Sequence, residues 1–306
     1  MIILSGGTGT PKLLNGLREV FPEKDLTVVV NTAEDIWLSG NLITPDIDTV
    51  LYLLSGRLDS SRWWGVKEDT YRTHEAMKAV GHNEVMMLGD IDRATHIMRS
   101  DLIRNGHTLT EATNQLCRYF EVNAKVLPMS DDPVSSMVIT PEGKMHFQDF
   151  WVGKRGEPEV LEVRQEGIEK ASISPAVLEA LENEDEVLIG PSNPITSIGP
   201  IIELPGMRDI LKNKKVIGVS PIIGNEPVSG PAGKLMTARG IEVSSCGVAS
   251  YYSDFLDHMI IDERDVVDEQ KFHKYDCSVS QADTLMKSVD ISSELSGIIR
   301  DIFRNM

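Results

Sequence analysis

The sequence predicts an α/β fold in which a doubly wound, mostly parallel sheet carries helices on both faces. Three observations support this prediction. Short apolar runs alternate with helical stretches along the whole chain, as in successive βαβ units. Several runs are apolar throughout rather than alternating, which is typical of strands covered on both faces. One region near the middle of the chain carries a hairpin signal instead.

The individual elements follow from these periodicities. The predicted strands are Ile2–Leu4, Leu26–Val30, Glu84–Leu88, Glu186–Ile189, Val216–Val219 and Met259–Ile261. The predicted helices are Pro11–Val20, Asp48–Ser55, Tyr71–Val80, Ala94–Asn105, Leu109–Tyr119, Pro175–Glu182, Gly233–Gly240, Ser250–Leu256 and Ser292–Arg304. Val134–Thr140 and Met145–Phe150 flank the turn-forming run Pro141–Lys144, which predicts a small antiparallel insertion over roughly residues 130–170. We expect residues 1–306 to form a single domain that includes this insertion.

The composition narrows the possible functions. The 306 residues carry a net charge of −17 and are 41% apolar, which suits a globular protein with a sizeable core and opposes binding to nucleic acid. No apolar run reaches about eighteen residues and no basic leader is present, so neither a membrane span nor a signal peptide is expected. Cys117, Cys246 and Cys277 are widely spaced and predict reduced thiols in the cytoplasm, not zinc ligands.

A glycine-rich run, Gly6-Gly7-Thr8-Gly9, lies between the first strand and the first helix, and Lys12 follows it. Free amides and the helix dipole at such a helix start attract anions, and glycines let the backbone approach a phosphate. The run has neither the dinucleotide-binding G-x-G-x-x-G spacing nor a Walker A spacing. It therefore predicts a phosphate site of another kind, with a plain tight turn as the alternative. In so acidic a protein, carboxylates can assist phosphate binding by holding Mg²⁺.

The loop after the second strand concentrates polar side chains. Asn31 and Asp35 can meet a polar ring edge or a ribose-like hydroxyl, and Trp37 can stack on a planar ligand or simply pack. Asp46 and Asp48 stand two residues apart before a helix, a spacing that lets both carboxylates converge on a hard cation. Capping of the helix by one of them is the alternative.

Three more segments carry candidate site residues. Gly89–Arg93 opens a helix, and Asp90 either caps this helix or contributes a polar group to a ligand-binding cleft. On the same helix, His96 and Arg99 either contribute to that cleft or are solvated surface residues. The loop Gly190–Pro200 offers Ser192 and Asn193 around a turn with exposed amides. Ser220–Met236 ends in a second glycine-rich run, where Lys234 neutralises a diphosphate or is an ordinary surface lysine. All four loops are predicted to leave strand ends along one rim of the sheet.

No Ser-His-Asp or Cys-His pattern supports a covalent intermediate, which leaves positioning and electrostatics, as in phosphoryl or nucleotidyl transfer. The segments that carry the predicted site together resemble one known family, the CofD family of 2-phospho-L-lactate transferases in coenzyme F-420 biosynthesis. The matching runs, in the expected order over nearly the whole chain, are Gly6–Lys12, Asn31–Asp35, Pro45–Thr49, Leu88–Asp92, Gly190–Pro194 and Ser220–Gly224.

The resemblance implies a Rossmann-like core, Mg²⁺ dependence and a homodimer. It also implies transfer of phospholactate from lactyl-2-diphospho-5′-guanosine to the ribityl hydroxyl of the deazaflavin Fo, with release of GMP. The guanosine diphosphate part would be held by Gly6, Gly7, Thr8, Gly9, Lys12, Gly190, Ser192, Asn193 and Lys234. Asp48, with Asp46, would coordinate Mg²⁺ or orient the hydroxyl. Fo would meet Asn31, Asp35, Trp37, Asp48 and Met87, although family members often carry a more polar residue near position 87.

A second function remains open at this stage. A related group in the same superfamily binds nucleotide-sugars and acts as a regulator rather than as a transferase. The Asn31–Asp35 and Pro45–Thr49 runs favour the transferase, and binding of Fo, seen in its fluorescence, distinguishes the two. A nucleotide-dependent kinase is disfavoured because the Walker A loop is missing.

Overall fold

A computed structural model describes residues 1–306. The strands, in chain order, are β1 (Ile2–Ser5), β2 (Thr27–Val30), β3 (Ile36–Leu38), β4 (Asn41–Ile43), β5 (Lys125–Pro128), β6 (Ser135–Thr140), β7 (Gly143–His146), β8 (Glu162–Glu166), β9 (Glu186–Ile189), β10 (Lys215–Val219), β11 (Ile222–Ile223), β12 (Glu226–Pro227), β13 (His258–Asp262) and β14 (Ser278–Ala282). The helices are α1 (Gly9–Val20), α2 (Pro45–Leu54), α3 (Arg72–Ala79), α4 (Asp90–Arg104), α5 (Leu109–Tyr119), α6 (Pro175–Asn183), α7 (Gly199–Glu203), α8 (Met207–Leu211), α9 (Ala232–Ala238), α10 (Ser245–Tyr251), α11 (Glu269–His273) and α12 (Val289–Asn305).

Seven strands form the central sheet in the order β14-β13-β10-β9-β1-β2-β5, and every neighbouring pair is parallel. The chain runs outward from β1 through β2 to β5, returns to β9 on the other side of β1, and continues outward through β10, β13 and β14. The direction of winding therefore reverses between β1 and β9, which creates a crevice at their carboxyl ends. This arrangement confirms the predicted Rossmann-like, doubly wound fold.

The sheet is buried on both faces, as its continuously apolar strands predict. In β1, Ile2 and Leu4 pack into the core on one face, while Ile3 packs into the core on the other. Helices α1 and α12 lie together on the second face. Gly16 of α1 allows this close approach, because a Cβ there would collide with the backbone of Ser292. No helix is both long and apolar enough to cross a bilayer.

The predicted strand Glu84–Leu88 is wrong. These residues lie in an irregular segment between α3 and α4, and Glu84 pairs with Arg93 and accepts a hydrogen bond from Ser39. The position beside β2 is taken instead by β5, which escaped prediction because it begins with a lysine and ends in a proline, a residue that is uncommon in strands. The edge strand β14 was missed because its sequence, SVSQA, is weakly apolar.

Several predicted helices begin earlier than expected, among them α4, which starts at Asp90 rather than Ala94. Helix α10 starts at Ser245 rather than Ser250, since the hydroxyl of Ser244 accepts a hydrogen bond from the Gly247 amide and caps the helix. Helix α2 starts at Pro45 rather than Asp48, with proline in the first turn, where its missing N–H costs nothing.

The antiparallel insertion is present. Strands β6, β7 and β8 form a separate three-stranded sheet in the order β7-β6-β8. After β7 the chain does not continue as a strand to Phe150 but forms a single π-helical turn over Asp149–Gly153. Such turns are rare and are frequent at functional sites.

Helices α3 and α4 cap each other. The Asp90 carboxylate, predicted as a cap for its own helix, instead accepts hydrogen bonds from the Arg72 and Thr73 amides in the first turn of α3. Asp69, just before α3, accepts hydrogen bonds from the amides of Ile91 and Asp92 in the first turn of α4. Each carboxylate thus satisfies amides that the other helix leaves free.

Candidate active site

A deep cleft lies at the carboxyl ends of β1, β2, β9 and β10, where the winding of the sheet reverses. Its volume is about 530 Å³, which is large enough for a nucleotide-sized ligand. Three of the four predicted loops leave sheet strands at this rim; the fourth, Gly89–Arg93, follows an irregular segment and reaches the cleft through α4.

The glycine turn and the loop after β9 are built as one unit. The Ser192 hydroxyl accepts a hydrogen bond from the Thr10 amide (3.0 Å) and donates to the Gly6 carbonyl. A Cβ at Gly9 would collide with the carbonyl group of Pro191, so only glycine allows the two loops to lie this close. Gly7 adopts a positive φ of 54°. The glycines thus shape a concave turn and also make the packing possible.

The predicted nucleotide-binding residues divide into two groups. Gly7, Thr8, Gly9, Lys12, Ser192 and Asn193 line the cleft, whereas Gly6, Gly190 and Lys234 do not. The ammonium of Lys12 lies 5.5 Å from the centre of the Trp63 ring, and burial lowers its pKa. The ammonium of Lys234 donates to the main-chain carbonyls of Gly156 and Glu157 at 2.7 and 3.0 Å.

Asn31 and Asp46 connect the loop after β2 to the glycine turn. The buried Asn31 amide donates to the Asp46 carboxylate at 2.9 Å and to the Thr196 carbonyl at 3.1 Å. The other oxygen of Asp46 accepts a hydrogen bond from the Gly7 amide at 2.8 Å. The alternative that Asp46 or Asp48 caps α2 is wrong, because the capping residue is Thr44 and no side chain caps this helix.

Glu34 and Asp46 form an acidic part of the cleft with no cationic partner. Burial raises the pKa of Asp46 to about 6, against the hydrogen bonds from Asn31 and Gly7. Burial and the neighbouring charge of Asp46 raise the pKa of Glu34 well above its usual range, and its Oε1 has no hydrogen-bond partner. Asp35 is partly buried, and its pKa is also raised by burial. Glu34 received no predicted role, although it stands in the polar run that follows β2.

Asp48 belongs to a different network, centred on α4. Its carboxylate is bound by the fully buried Arg99, and the Nε2 of His96 lies 3.2 Å from Asp48 and 3.1 Å from Asp92. The phenol of Tyr52 donates to Asp92 at 2.8 Å. The alternative that His96 and Arg99 are solvated surface residues is therefore wrong.

Charge is balanced within this network. Burial opposes ionisation of Asp48, but Arg99 and His96 outweigh it and lower the pKa of the carboxyl. Burial also opposes a charged His96, yet the two carboxylates raise its pKa to about 9. Ligand atoms of Asp48, Asp92 and His96 lie within 4.8 Å of one another, close enough to share a metal ion. The spacing of Asp92 and His96, four residues apart on one helix, is the signal that could have found this group.

The predicted Fo-binding residues are not all at the cleft. Asp48 and Met87 line it, whereas Asn31 lies beneath it and Asp35 is outside its lining. Trp37 is outside the cleft lining: it lies on β3, is 52% exposed, and has the Arg104 guanidinium 5.9 Å from its ring centre.

Aromatic side chains that received no role in the sequence analysis line the cleft instead. Trp64 and Trp151 each border it and are each 40% exposed. Phe147 and Val152, from the same insertion as Trp151, lie beside it. Arg62 adds a cation, with its guanidinium 5.5 Å from the centre of the Trp64 ring. Trp151, as the one tryptophan of the small insertion, was the sequence signal that could have indicated this aromatic wall. The cleft thus combines a turn suited to phosphate, an acidic group suited to a cation or a hydroxyl, and an apolar wall suited to a ring.

Comparisons with known proteins find relatives over nearly the whole chain. The family model described as 2-phospho-L-lactate transferase CofD matches residues 1–296. A 2-phospho-L-lactate transferase from Methanococcoides burtonii is 64% identical over 306 residues, which is 100% of both chains. Those from Methanosarcina barkeri and Methanocaldococcus jannaschii are 64% and 46% identical, over 99% and 94% of this chain and 98% and 93% of theirs. The crystal structure of a UPF0052 family member from Bacillus halodurans has the same fold, with a TM-score of 0.69 at 17% identity, covering 98% of this chain and 97% of that one.

Proposed function

The chain belongs to the 2-phospho-L-lactate transferase CofD family, and from this premise we propose that it transfers phospholactate from lactyl-2-diphospho-5′-guanosine to the deazaflavin Fo. The ribityl hydroxyl forms a bond to the phosphorus that carries the lactate. The bond from this phosphorus to the bridging oxygen breaks, and GMP leaves with that oxygen. The observation that carries the proposal is the cleft at the reversal of the sheet, which is bordered by the same segments that carry the family resemblance.

The diphosphate of the donor is proposed to lie on the glycine turn. Gly7, Thr8 and Gly9 line the cleft at the start of α1, where backbone amides and the helix dipole attract an anion without a basic surface. Asn193 and the ammonium of Lys12 lie in the same lining. This supports binding of a nucleoside diphosphate by an otherwise acidic protein.

Asp48 is proposed to orient the attacking hydroxyl. Its lowered pKa keeps it ionised at neutral pH, and Arg99 and His96 fix its direction. A carboxylate held in this way accepts a hydrogen bond from a hydroxyl and takes up its proton as the new bond to phosphorus forms.

Mg²⁺ fits the acidic part of the cleft better than the network of Asp48. Glu34 has a buried oxygen without a partner, and the pKa of Asp46 is raised, so a hard cation bound by these oxygens would relieve both. Both oxygens of Asp48 are already bound by Arg99, and a protonated His96 repels a cation. We therefore propose Asp46, with Glu34, as the ligands. When bound, Mg²⁺ would neutralise negative charge on the diphosphate.

The remaining elements of the proposal come from the sequence and from the family resemblance. The chain acts as a single domain and as a homodimer in the cytoplasm, on small-molecule substrates. Light scattering of the purified protein tests the dimer, since a monomer's mass in solution would exclude it.

The experiment incubates the protein with Fo, lactyl-2-diphospho-5′-guanosine and Mg²⁺ and measures GMP release. We expect release that requires Fo and is lost with a chelator. Asp46→Asn should raise the Mg²⁺ concentration needed for half-maximal GMP release, whereas Asp48→Asn should lower kcat and leave that concentration unchanged. Binding of nucleotide-sugars without any GMP release would contradict the transferase and favour the regulatory protein.

A further inference from the structure

The insertion forms one wall of the cleft, and Lys234, which lies outside the cleft lining, contacts this insertion. Trp151 lies on the π-helical turn Asp149–Gly153, and its ring is 40% exposed where it borders the cleft. Phe150, one residue earlier, is fully buried and anchors the turn in the core. A large aromatic ring that borders a cleft on a rigid base offers a flat face to a planar ligand.

The Trp151 ring rests on the backbone of Gly156. A Cβ at this glycine would lie only 2.9 Å from Cε3 and Cζ3 of the indole, and the residue has a positive φ of 63°. The Gly156 amide donates to the Phe150 carbonyl at 2.8 Å, which closes the segment into a compact turn. The position of the indole therefore depends on the position of this turn.

Lys234 ties the turn to the main fold. Its ammonium donates to the carbonyls of Gly156 and Glu157. Lys234 belongs to α9, which follows the cleft-lining residues Val228–Pro231. Two of its three N–H bonds are thus committed to the insertion, and the residue itself is outside the cleft lining.

We propose that Lys234 is a positioning residue for acceptor binding: it fixes the Gly156 turn, and the turn holds Trp151 as the face on which the deazaflavin ring stacks. This inference rests on the proposed transferase function and deepens it. It replaces the interpretation of Lys234 as a diphosphate ligand.

The contacts of the insertion favour the acceptor over the guanine of the donor. Gln148 donates to the Glu34 carbonyl at 3.3 Å, in the loop after β2. Gly153 lies against Val85, two residues before Met87, which also lines the cleft. Next to Trp151, the wall therefore meets the loop after β2 and the segment before Met87, which both carry predicted acceptor-binding residues.

The test compares binding of the two substrates in the full-length enzyme. Fo binding is followed by its fluorescence and by quenching of tryptophan emission, and KM is measured for Fo and for lactyl-2-diphospho-5′-guanosine. We expect Trp151→Leu to weaken Fo binding by roughly tenfold, as for loss of one stacked ring, and to reduce the tryptophan quenching. Lys234→Met should raise KM for Fo by about threefold and leave the KM of the donor within about twofold.

The control for the lysine is Lys144→Met, which removes an exposed ion pair with Glu166 within the insertion and should change neither KM. If Trp151→Leu does not fold, Trp151→Phe keeps a smaller ring and should weaken Fo binding less than tenfold. A raised KM for the donor with Fo binding unchanged would overturn the proposal and return Lys234 to the diphosphate. Unchanged binding of both substrates in Trp151→Leu would also overturn it. Failure of the wild-type protein to bind Fo at all would instead refute the transferase function itself.

Discussion

Replacing Arg99 by methionine tests whether the network around Asp48 is organised as the structure indicates. Arg99 is fully buried and binds both oxygens of Asp48, with a further hydrogen bond to the Leu42 carbonyl. Methionine fills similar space without a charge, so the substitution leaves the Asp48 carboxylate buried without its main partner. Loss of one member of a buried ion pair costs about 3–5 kcal/mol.

The expected loss of folding stability lies at the lower end of this range, because His96 remains within 3.2 Å of Asp48 and still compensates part of its negative charge. We therefore expect a decrease of about 3 kcal/mol in the free energy of unfolding, measured by urea denaturation. In a chain of this size the midpoint of thermal unfolding should fall by about 5 °C.

Two further variants make the result specific. Adding Asp48→Asn to Arg99→Met removes the uncompensated charge and should restore at least half of the lost stability. Lys212→Met breaks an exposed pair with Asp209 and should cost less than about 0.5 kcal/mol. A loss below about 1 kcal/mol in Arg99→Met, or a double variant as unstable as the single one, would refute the reasoning.

Three other substitutions test separate parts of the structure. Gly9→Ala should lower the free energy of unfolding in urea by about 1–3 kcal/mol and reduce GMP release, because the added Cβ meets the Pro191 carbonyl. As a control, Gly297→Ala in α12 should not destabilise the protein, because the added Cβ meets no other atom. Burial opposes ionisation of Glu84, but Arg93 and Ser39 lower its pKa to about 2. The ionised carboxylate therefore contributes to folding stability above pH 4.5, and this contribution is lost as the pH falls to 2. The stability difference between wild type and Glu84→Gln should be about 2 kcal/mol at pH 7 and vanish near pH 2; a difference independent of pH would contradict this. Asp69→Ala should cost about 1 kcal/mol and speed amide exchange at Ile91; unchanged exchange would argue against the cap.

The parts of the site that could be predicted from sequence are those with local signals. A strand, a glycine run and a helix start within about a dozen residues identify the turn at Gly6–Gly9, and the same logic identifies Gly190–Pro194. Their meeting at one rim follows from the parallel sheet. The fold itself was predictable for the same reason, since each buried strand is a short apolar run.

The parts that could not be predicted depend on contacts distant in the chain. His96 and Arg99 have the polarity of surface residues, and only the packing of α4 against α2 and β4 buries them around Asp48, about fifty residues earlier. The apolar run at Glu84–Leu88 resembles a strand, but Glu84 is tied to Arg93 and no neighbouring strand pairs with the run. Trp37 has the chemistry of a ring-binding residue, yet the hairpin of β3 and β4 turns it towards Arg104.

The hydroxyl of Ser192 joins positions that are 186 residues apart, since it donates to the Gly6 carbonyl. A ribosome therefore completes the first strand and the glycine turn long before the residue that fixes the shape of that turn has been made. Until β9 pairs with β1, the glycine turn lacks its contact with the loop after β9, and the apolar edge of β1 is uncovered. Closing such distant contacts is slow and exposes unpaired strand edges in the meantime. The N-terminal third expressed alone should consequently aggregate rather than bind a nucleotide, although it contains the most recognisable motif in the chain.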